Sequence, residues 1–173
     1  MLSKKLIKAL NDQINAEYYS AYLYHSMSAY MEGKGLKGVA KWLFCQAKEE
    51  MAHGINIYQY TLDRGVVPTL SAINQPPSSF KSVTHIFDEV LKHEMKVTKS
   101  INEIATLAIK ENDHATYHFI MWYVNEQVEE EANVNDILCK LNLIGDDKAM
   151  LLTFDNELAT RTFVNPFPNN QKI

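Results

Sequence analysis

Four stretches of the chain, about residues 4–32, 36–64, 82–110 and 114–144, repeat apolar residues at the three- and four-residue spacing of a helix, and a shorter stretch, about 146–162, does the same. Helices of this length run on the order of 40 Å. Each carries an apolar stripe that must be covered, and helices laid side by side cover one another. The glycine-rich EGKGLKG (32–38) and the polar KENDHAT (110–116) are short turns, so the first and second helices, and the third and fourth, pair as antiparallel hairpins. Between the hairpins lies GVVPTLSAINQPPSSFKS (65–82), where Pro68, Pro76 and Pro77 exclude regular helix. A segment of that length extends on the order of 60 Å, enough to return along the whole bundle. The second and third helices then run parallel. The expected fold is all-α: an up-down-down-up four-helix bundle with a long crossover and a short fifth helix, spanning residues 1–162, followed by an irregular tail at 163–173.

With 46% hydrophobic residues, six Gly and five Pro in 173 residues, the composition suits one compact helical domain rather than a sheet or a disordered chain. The formal charge of −4 is mild and the Lys and Arg residues are scattered, which argues against nucleic acid as a partner. The N-terminal MLSKKLIKALNDQINAEYY interrupts its apolar residues with charges every few positions, so neither a signal peptide nor a membrane span is expected. A cytoplasmic address follows. Cys45 and Cys139, the two cysteines, are too few for a disulfide framework or a four-Cys metal site.

The inward stripes contain acids. In sevens, the second helix reads Leu36, Leu43, Glu50, Ile57 beside Val39, Gln46, His53, Tyr60. The fourth reads Asp113, Ile120, Gln127, Val134, Leu141 beside Thr116, Tyr123, Glu130, Ile137. The first has Leu10, Glu17, Tyr24, Met31, and the third Phe80, Phe87, Glu94, Ile101, Ala108. An offset of 33 carries Glu17 onto Glu50 and Glu94 onto Gln127; an offset of 77 carries Glu17 onto Glu94, Glu49 onto Glu126, Glu50 onto Gln127 and His53 onto Glu130. The hairpins read as a diverged repeat. Each acid lies about halfway along its helix, so bundle closure gathers Glu17, Glu50, His53, Glu94, Gln127 and Glu130 into one layer.

Taking unpaired carboxylates out of water costs several kcal/mol each, and four together also repel. Internal ion pairs would need Lys or Arg on the same columns, where only Arg64 occurs, at the far end. Four neutral carboxyls in one layer at pH 7 are a poor resting state, although crowding raises carboxyl pKa values. Two divalent cations balance four carboxylates and leave His53 neutral as a ligand. Oxygen-rich donors with one imidazole and no thiolate point to iron or manganese, with a dinuclear iron site favoured.

Glu17, Tyr24, EEMAH (49–53), Glu94 and NEQVEEE (125–131), in this register, closely resemble the bacterial non-haem ferritins over nearly the whole chain. Carried over, the resemblance implies a ferroxidase centre. Glu17, Glu50 and His53 hold one iron, Glu50 bridges, Glu94 and Glu130 hold the second, and Gln127 stands where a fuller motif would place a Glu. The second iron is then the weaker one. Glu49, Glu126 and Glu129, sharing Glu130, look like the third iron site of that family, and Tyr24 like its tyrosine near the irons. For Trp122 a packing role is favoured.

The resemblance further implies iron storage: Fe(II) oxidised by O2 or H2O2, and ferric oxyhydroxide kept in a hollow homo-oligomeric shell of 24 subunits, with the fifth helix near the fourfold axes. Met51 occupies the place of the haem-binding methionine of bacterioferritins, but the incomplete second Glu-x-x-His motif argues against that group, and haem is not expected. A rubrerythrin-type oxidase would need a four-Cys iron module that two cysteines cannot supply. A DNA-protecting mini-ferritin draws its ligands from two subunits. His25, His85, His93, His114 and His118 fall off the acid layer, and His93, although next to Glu94, is turned about 100° away on the helix.

Overall fold

The structure, a computed structural model, describes residues 1–168. Five helices follow one another: α1 (Lys4–Gly33), α2 (Lys37–Asp63), α3 (Val83–Lys110), α4 (His114–Ile144) and α5 (Lys148–Leu158). The first four match the expected spans to within one residue at each end. Their starts are set by side chains that accept otherwise orphaned N–H groups: Ser3 takes the Leu6 N–H at 3.1 Å, Ser82 the His85 N–H at 3.0 Å and Asp113 the Thr116 N–H at 3.0 Å. The α1–α2 turn closes at Gly35, whose φ of 82° suits a residue without Cβ.

Helix α2 begins without a local cap at Leu36. Its cap comes from α5, where Asp155 Oδ1 accepts the Val39 N–H at 2.8 Å. The approach is close enough that a Cβ on Gly38 would fall 1.6 Å from the Asp155 carbonyl oxygen.

The crossover follows α1 from one end to the other. Asn11 Oδ1 accepts the Thr69 N–H at 3.3 Å, Asn15 donates to the Ser71 and Ala72 carbonyls at 3.2 Å, and Ser26 and Tyr30 donate to the Pro77 and Phe80 carbonyls at 2.5 Å. The chain therefore re-enters the bundle at the far end, α2 and α3 run parallel, and the up-down-down-up topology is met.

Two apolar clusters fill the bundle. One centres on Met27, Leu43, Phe87 and Val134, the other on Leu10, Ile57, Ile101 and Ile120. Between them lies the polar layer.

Helix α5 is shorter than its periodicity suggests, ending at Leu158 rather than about 162. Beyond it the chain turns back onto α2, where Lys41 Nζ donates to the Ala159 carbonyl at 2.7 Å and Arg161 pairs with Glu49. Continued helix would give up those partners. Residues 163–167 continue the non-helical path, and the end of the expected irregular tail, 169–173, lies outside the described residues. Among the described residues no helix is long and apolar enough to cross a membrane.

Candidate metal centre

Glu17 from α1 and Glu50 and His53 from α2 meet in the bundle interior, each at most 2% exposed. The heptad spacing places Glu50 and His53 one turn apart on one face. One donor atom from each of the three lies within 4.8 Å of the others, and His53 Nδ1 is 3.7 Å from Glu50 Oε2. Gln13 donates to Glu17 Oε1 at 2.8 Å, whereas Glu17 Oε2 and His53 Nε2 are buried without any hydrogen-bond partner. Buried polar atoms without partners are rare in folded proteins.

The opposite wall comes from α3 and α4. Glu94 accepts a hydrogen bond from the Tyr24 hydroxyl on one oxygen and from the Gln127 amide at 3.1 Å on the other. Gln127 also donates to Thr98 Oγ1 at 3.2 Å, and Thr98 in turn donates to Glu131 at 2.6 Å. Glu130 is held by Gln46 of α2, whose amide donates to its Oε2 at 2.6 Å and lies 3.5 Å from Glu50 Oε1. Glu94 and Glu130 thus face the triad without joining its closest grouping, and Gln127 contacts Glu94 rather than the α1 and α2 acids.

Burial dominates the electrostatics. It pushes the Glu17 carboxyl well above its usual range, with the Glu50 charge adding to the effect. Glu50 is pushed well up by burial and then by Glu94 and Glu130. Glu94 is raised by burial, and Glu130 by burial and the Glu94 charge to about 8. Among the described residues no Lys or Arg pairs with any of the four. Arg64, the one cation on the columns, pairs with Asp113 at 2.7 Å at the far end. The layer is a set of acids whose ionisation lacks a compensating cation.

Glu49, Glu126 and Glu129 stand beside the layer and, among the described residues, do not come together at ligand spacing as Glu17, Glu50 and His53 do. Glu49 and Glu126 are half-buried and Glu129 exposed. Burial raises Glu49 most, Arg161 opposes that, and the charges of Glu126 and Glu129 add to the rise. His53 packs edge-on against Trp122 at 5.4 Å and Phe167 at 6.1 Å between ring centres. Tyr123 accepts from Asn56 at 2.8 Å and donates to the His53 carbonyl at 3.0 Å, fixing the backbone that carries the imidazole. His93 is half-buried against Ser20, 2.7 Å away, and burial lowers its pKa to about 4. Met51 is 41% exposed on α2.

Sequence reasoning left out Gln13, Gln46, Thr98, Arg161 and Phe167 as parts of the site. Gln13 and Gln46 had a signal, since each precedes a candidate ligand by one helical turn on the same face. Arg161 and Phe167 had none.

The Ferritin-like domain family model matches residues 7–144. The bacterial non-heme ferritin of Staphylococcus aureus (strain MRSA252) is 41% identical over 163 residues, which cover 94% of this chain and 98% of that protein. Its counterpart from Staphylococcus haemolyticus is 42% identical over the same shares. Among solved structures, the open pore ferritin of the hyperthermophilic archaeon Archaeoglobus fulgidus superposes with a TM-score of 0.92 at 48% identity, covering 94% of this chain and 99% of that one. Similarity at this level, spread over nearly the full length of both partners, shows that the chain belongs to the ferritin family.

Proposed function

We propose that the protein stores iron and oxidises it on entry, acting as a ferroxidase. The observation that carries this reading is the buried layer of four carboxylates with no cationic partner among the described residues, in which Glu17 Oε2 and His53 Nε2 are left without hydrogen bonds. Fe(II) is the substrate that supplies the missing charge. Glu17, Glu50 and His53 take one ion, Glu94 and Glu130 the other, and Glu50 spans the two. Because burial holds protons on these acids, loading two ions expels protons and leaves near-neutral charge within the apolar bundle. Each Fe(II) gives up one electron to O2 or H2O2.

Glu94 and Glu130 have no imidazole on their side, and the Gln127 amide is a neutral donor, so the second ion is the weaker-held and the first to leave. Glu49, Glu126 and Glu129 form its next station as a third iron site, toward a ferric oxyhydroxide mineral. Tyr24, hydrogen-bonded to Glu94, is placed to tune that carboxylate and to supply an electron during oxidation. Haem has no part in this reading.

A mineral requires enclosure, and one bundle encloses nothing. The family membership supports a homo-oligomeric shell of about 24 copies with closed symmetry. The exposed Tyr22 and Phe44, and Met150 and Leu152 on α5, are apolar surface for such contacts. The expected location is the cytoplasm.

Aerobic Fe(II) titration of the metal-free protein, followed by ultraviolet absorbance and native mass, tests the reading. Wild type should oxidise Fe(II) well above the buffer rate and sediment as a filled shell. Glu50→Ala and His53→Ala should lose most of the rate while keeping shell size. Oxidation no faster than buffer, or a small oligomer without mineral, would refute it.

A further inference from the structure

Beyond α5 the chain runs along α2 in the same direction, and successive contacts mark its path. The Ala159 carbonyl meets Lys41 at 2.7 Å, the Arg161 carbonyl meets Cys45 Sγ at 3.8 Å, Phe163 lies under Lys48 at 5.9 Å, and Phe167 reaches the His53 ring at 6.1 Å. From Lys41 to His53 this is about 18 Å of helix. Phe167 also packs on Trp122 of α4, 4.5 Å between ring centres. Residues 159–168 form a strap across the α2–α4 side of the acid layer.

Arg161 is the charged member of that strap. Its guanidinium pairs with Glu49 on one side and covers the Trp42 ring at 4.3 Å on the other, while its Nη1 is buried without a partner. A cavity of about 430 Å³ opens beside it, lined by Glu49, Glu129, Asn133, Asp136 and Glu157 among others. One fixed cation therefore sits on the acid that begins the third iron site.

We infer that Arg161 is a built-in counter-cation for Glu49 that an incoming third iron must displace, so that this residue sets how tightly the third site holds its ion. The inference rests on the third-site reading above. A divalent ion at Glu49 and the guanidinium compete for one carboxylate, and their like charges repel at short range. The unpartnered Nη1 and the open cavity next to it give the released side chain somewhere to go. Because Arg161 stacks on Trp42, its departure changes the surroundings of that indole.

Zn(II), which has no redox chemistry, serves as the probe. It is titrated into the metal-free protein by calorimetry, with wild type, Arg161→Gln, Arg161→Lys and Glu49→Gln in parallel. In wild type a third ion per subunit should bind more weakly than the first two. In Arg161→Gln the third should tighten at least ten-fold while the first two change less than two-fold. Arg161→Lys, which keeps the charge, should fall between and guards against a folding defect in the neutral variant. In a Trp122→Phe background Trp42 is the sole tryptophan, and its emission should shift at the third equivalent when Arg161 is present and stay unchanged in Arg161→Gln.

Equal third-ion affinity in wild type and Arg161→Gln, or an unchanged Trp42 emission, would overturn the role of Arg161 while leaving the third site standing. If no variant binds a third ion and Glu49→Gln matches wild type, the third site itself falls and the inference with it.

Discussion

Gln46 donates its side-chain amide across the bundle to Glu130 at 2.6 Å, and the same nitrogen lies 3.5 Å from Glu50. A single neutral donor thus spans the α2 and α4 halves of the acid layer. A lysine there would also hold both acids, but it would bring the positive charge that the proposed function leaves to metal. The amide steadies the carboxylates without neutralising them.

Replacing Gln46 with Leu keeps similar volume and removes that donor. Affinity for the second divalent ion should fall roughly ten-fold, the usual scale for losing a hydrogen-bond partner behind a metal ligand. On the proposed assignment the first ion, taken by Glu17, Glu50 and His53, should change far less. Calorimetric Zn(II) titration resolves the two steps, and equal losses at both would show that Gln46 supports the layer as a whole.

The acid layer also determines how the metal-free protein responds to pH. Glu17, Glu50, Glu94 and Glu130 all have raised pKa values, Glu130 to about 8. Above the unfolded carboxyl value, about 4.3, these four groups therefore hold more protons in the folded chain than in the unfolded one, while His93, lowered by burial to about 4, opposes them below its unfolded value of about 6.5. Stability should fall as pH rises from about 6.5 through 8, where His93 is neutral in both states. Thermal melts of the metal-free protein should show the midpoint dropping across that range, less steeply in Glu130→Gln. Saturating Zn(II), which binds the ionised acids, should remove or reverse the trend. A midpoint that rises with pH in the metal-free protein would contradict the cause assigned to these shifts.

The acid layer was legible in the sequence because a heptad stripe makes an inward acid conspicuous: Glu17, Glu50, Glu94 and Glu130 break apolar columns, and His53 follows Glu50 by three. The helix spans were legible from the apolar spacing and from the glycine-rich, polar and proline-bearing breaks between them. Gln46 lay in plain view on its column, but an uncharged residue there gave no energetic alarm. Arg161 was invisible for a different reason. Its partner Glu49 is 112 residues away, and no periodicity links a non-helical strap to the helix it crosses. The same blindness made α5 look longer than it is, since no Gly or Pro at 159–162 marks where the chain leaves the helix for α2.

Gly38 and Asp155 make the joint that aims the strap. A Cβ at Gly38 would meet the Asp155 backbone carbonyl at 1.6 Å, so Gly38→Ala must push α5 off α2. The cost should be about 3 kcal/mol, the upper range for overpacking against backbone. Asp155→Ala removes the side-chain cap on the α2 N-terminus and should cost about 1–2 kcal/mol. Urea unfolding measures both. Trp42 fluorescence should change in Gly38→Ala even under native conditions, because Arg161 no longer reaches its ring. Unaltered stability in Gly38→Ala would mean that α5 is free to shift.

At the opposite end of the bundle the pH response has the other sign. Arg64, closing α2, donates to Asp113 Oδ1 at 3.0 Å and Oδ2 at 2.7 Å, and Asp113 also accepts the Thr116 N–H that starts α4. The Arg64 hydrogen bonds hold the Asp113 carboxyl down to about 2. With a depressed folded pKa, the stabilisation is present above the unfolded value, about 3.9, and is lost as pH falls from there through 2. Asp113→Asn keeps a good capping side chain but no charge, so it should flatten the acid limb of the stability curve while leaving helix content intact. Asp113→Ala should lose about 1 kcal/mol more through the missing cap. Melts between pH 2 and 5 separate the two contributions, and an acid limb as steep in Asp113→Asn as in wild type would move its origin to other carboxylates.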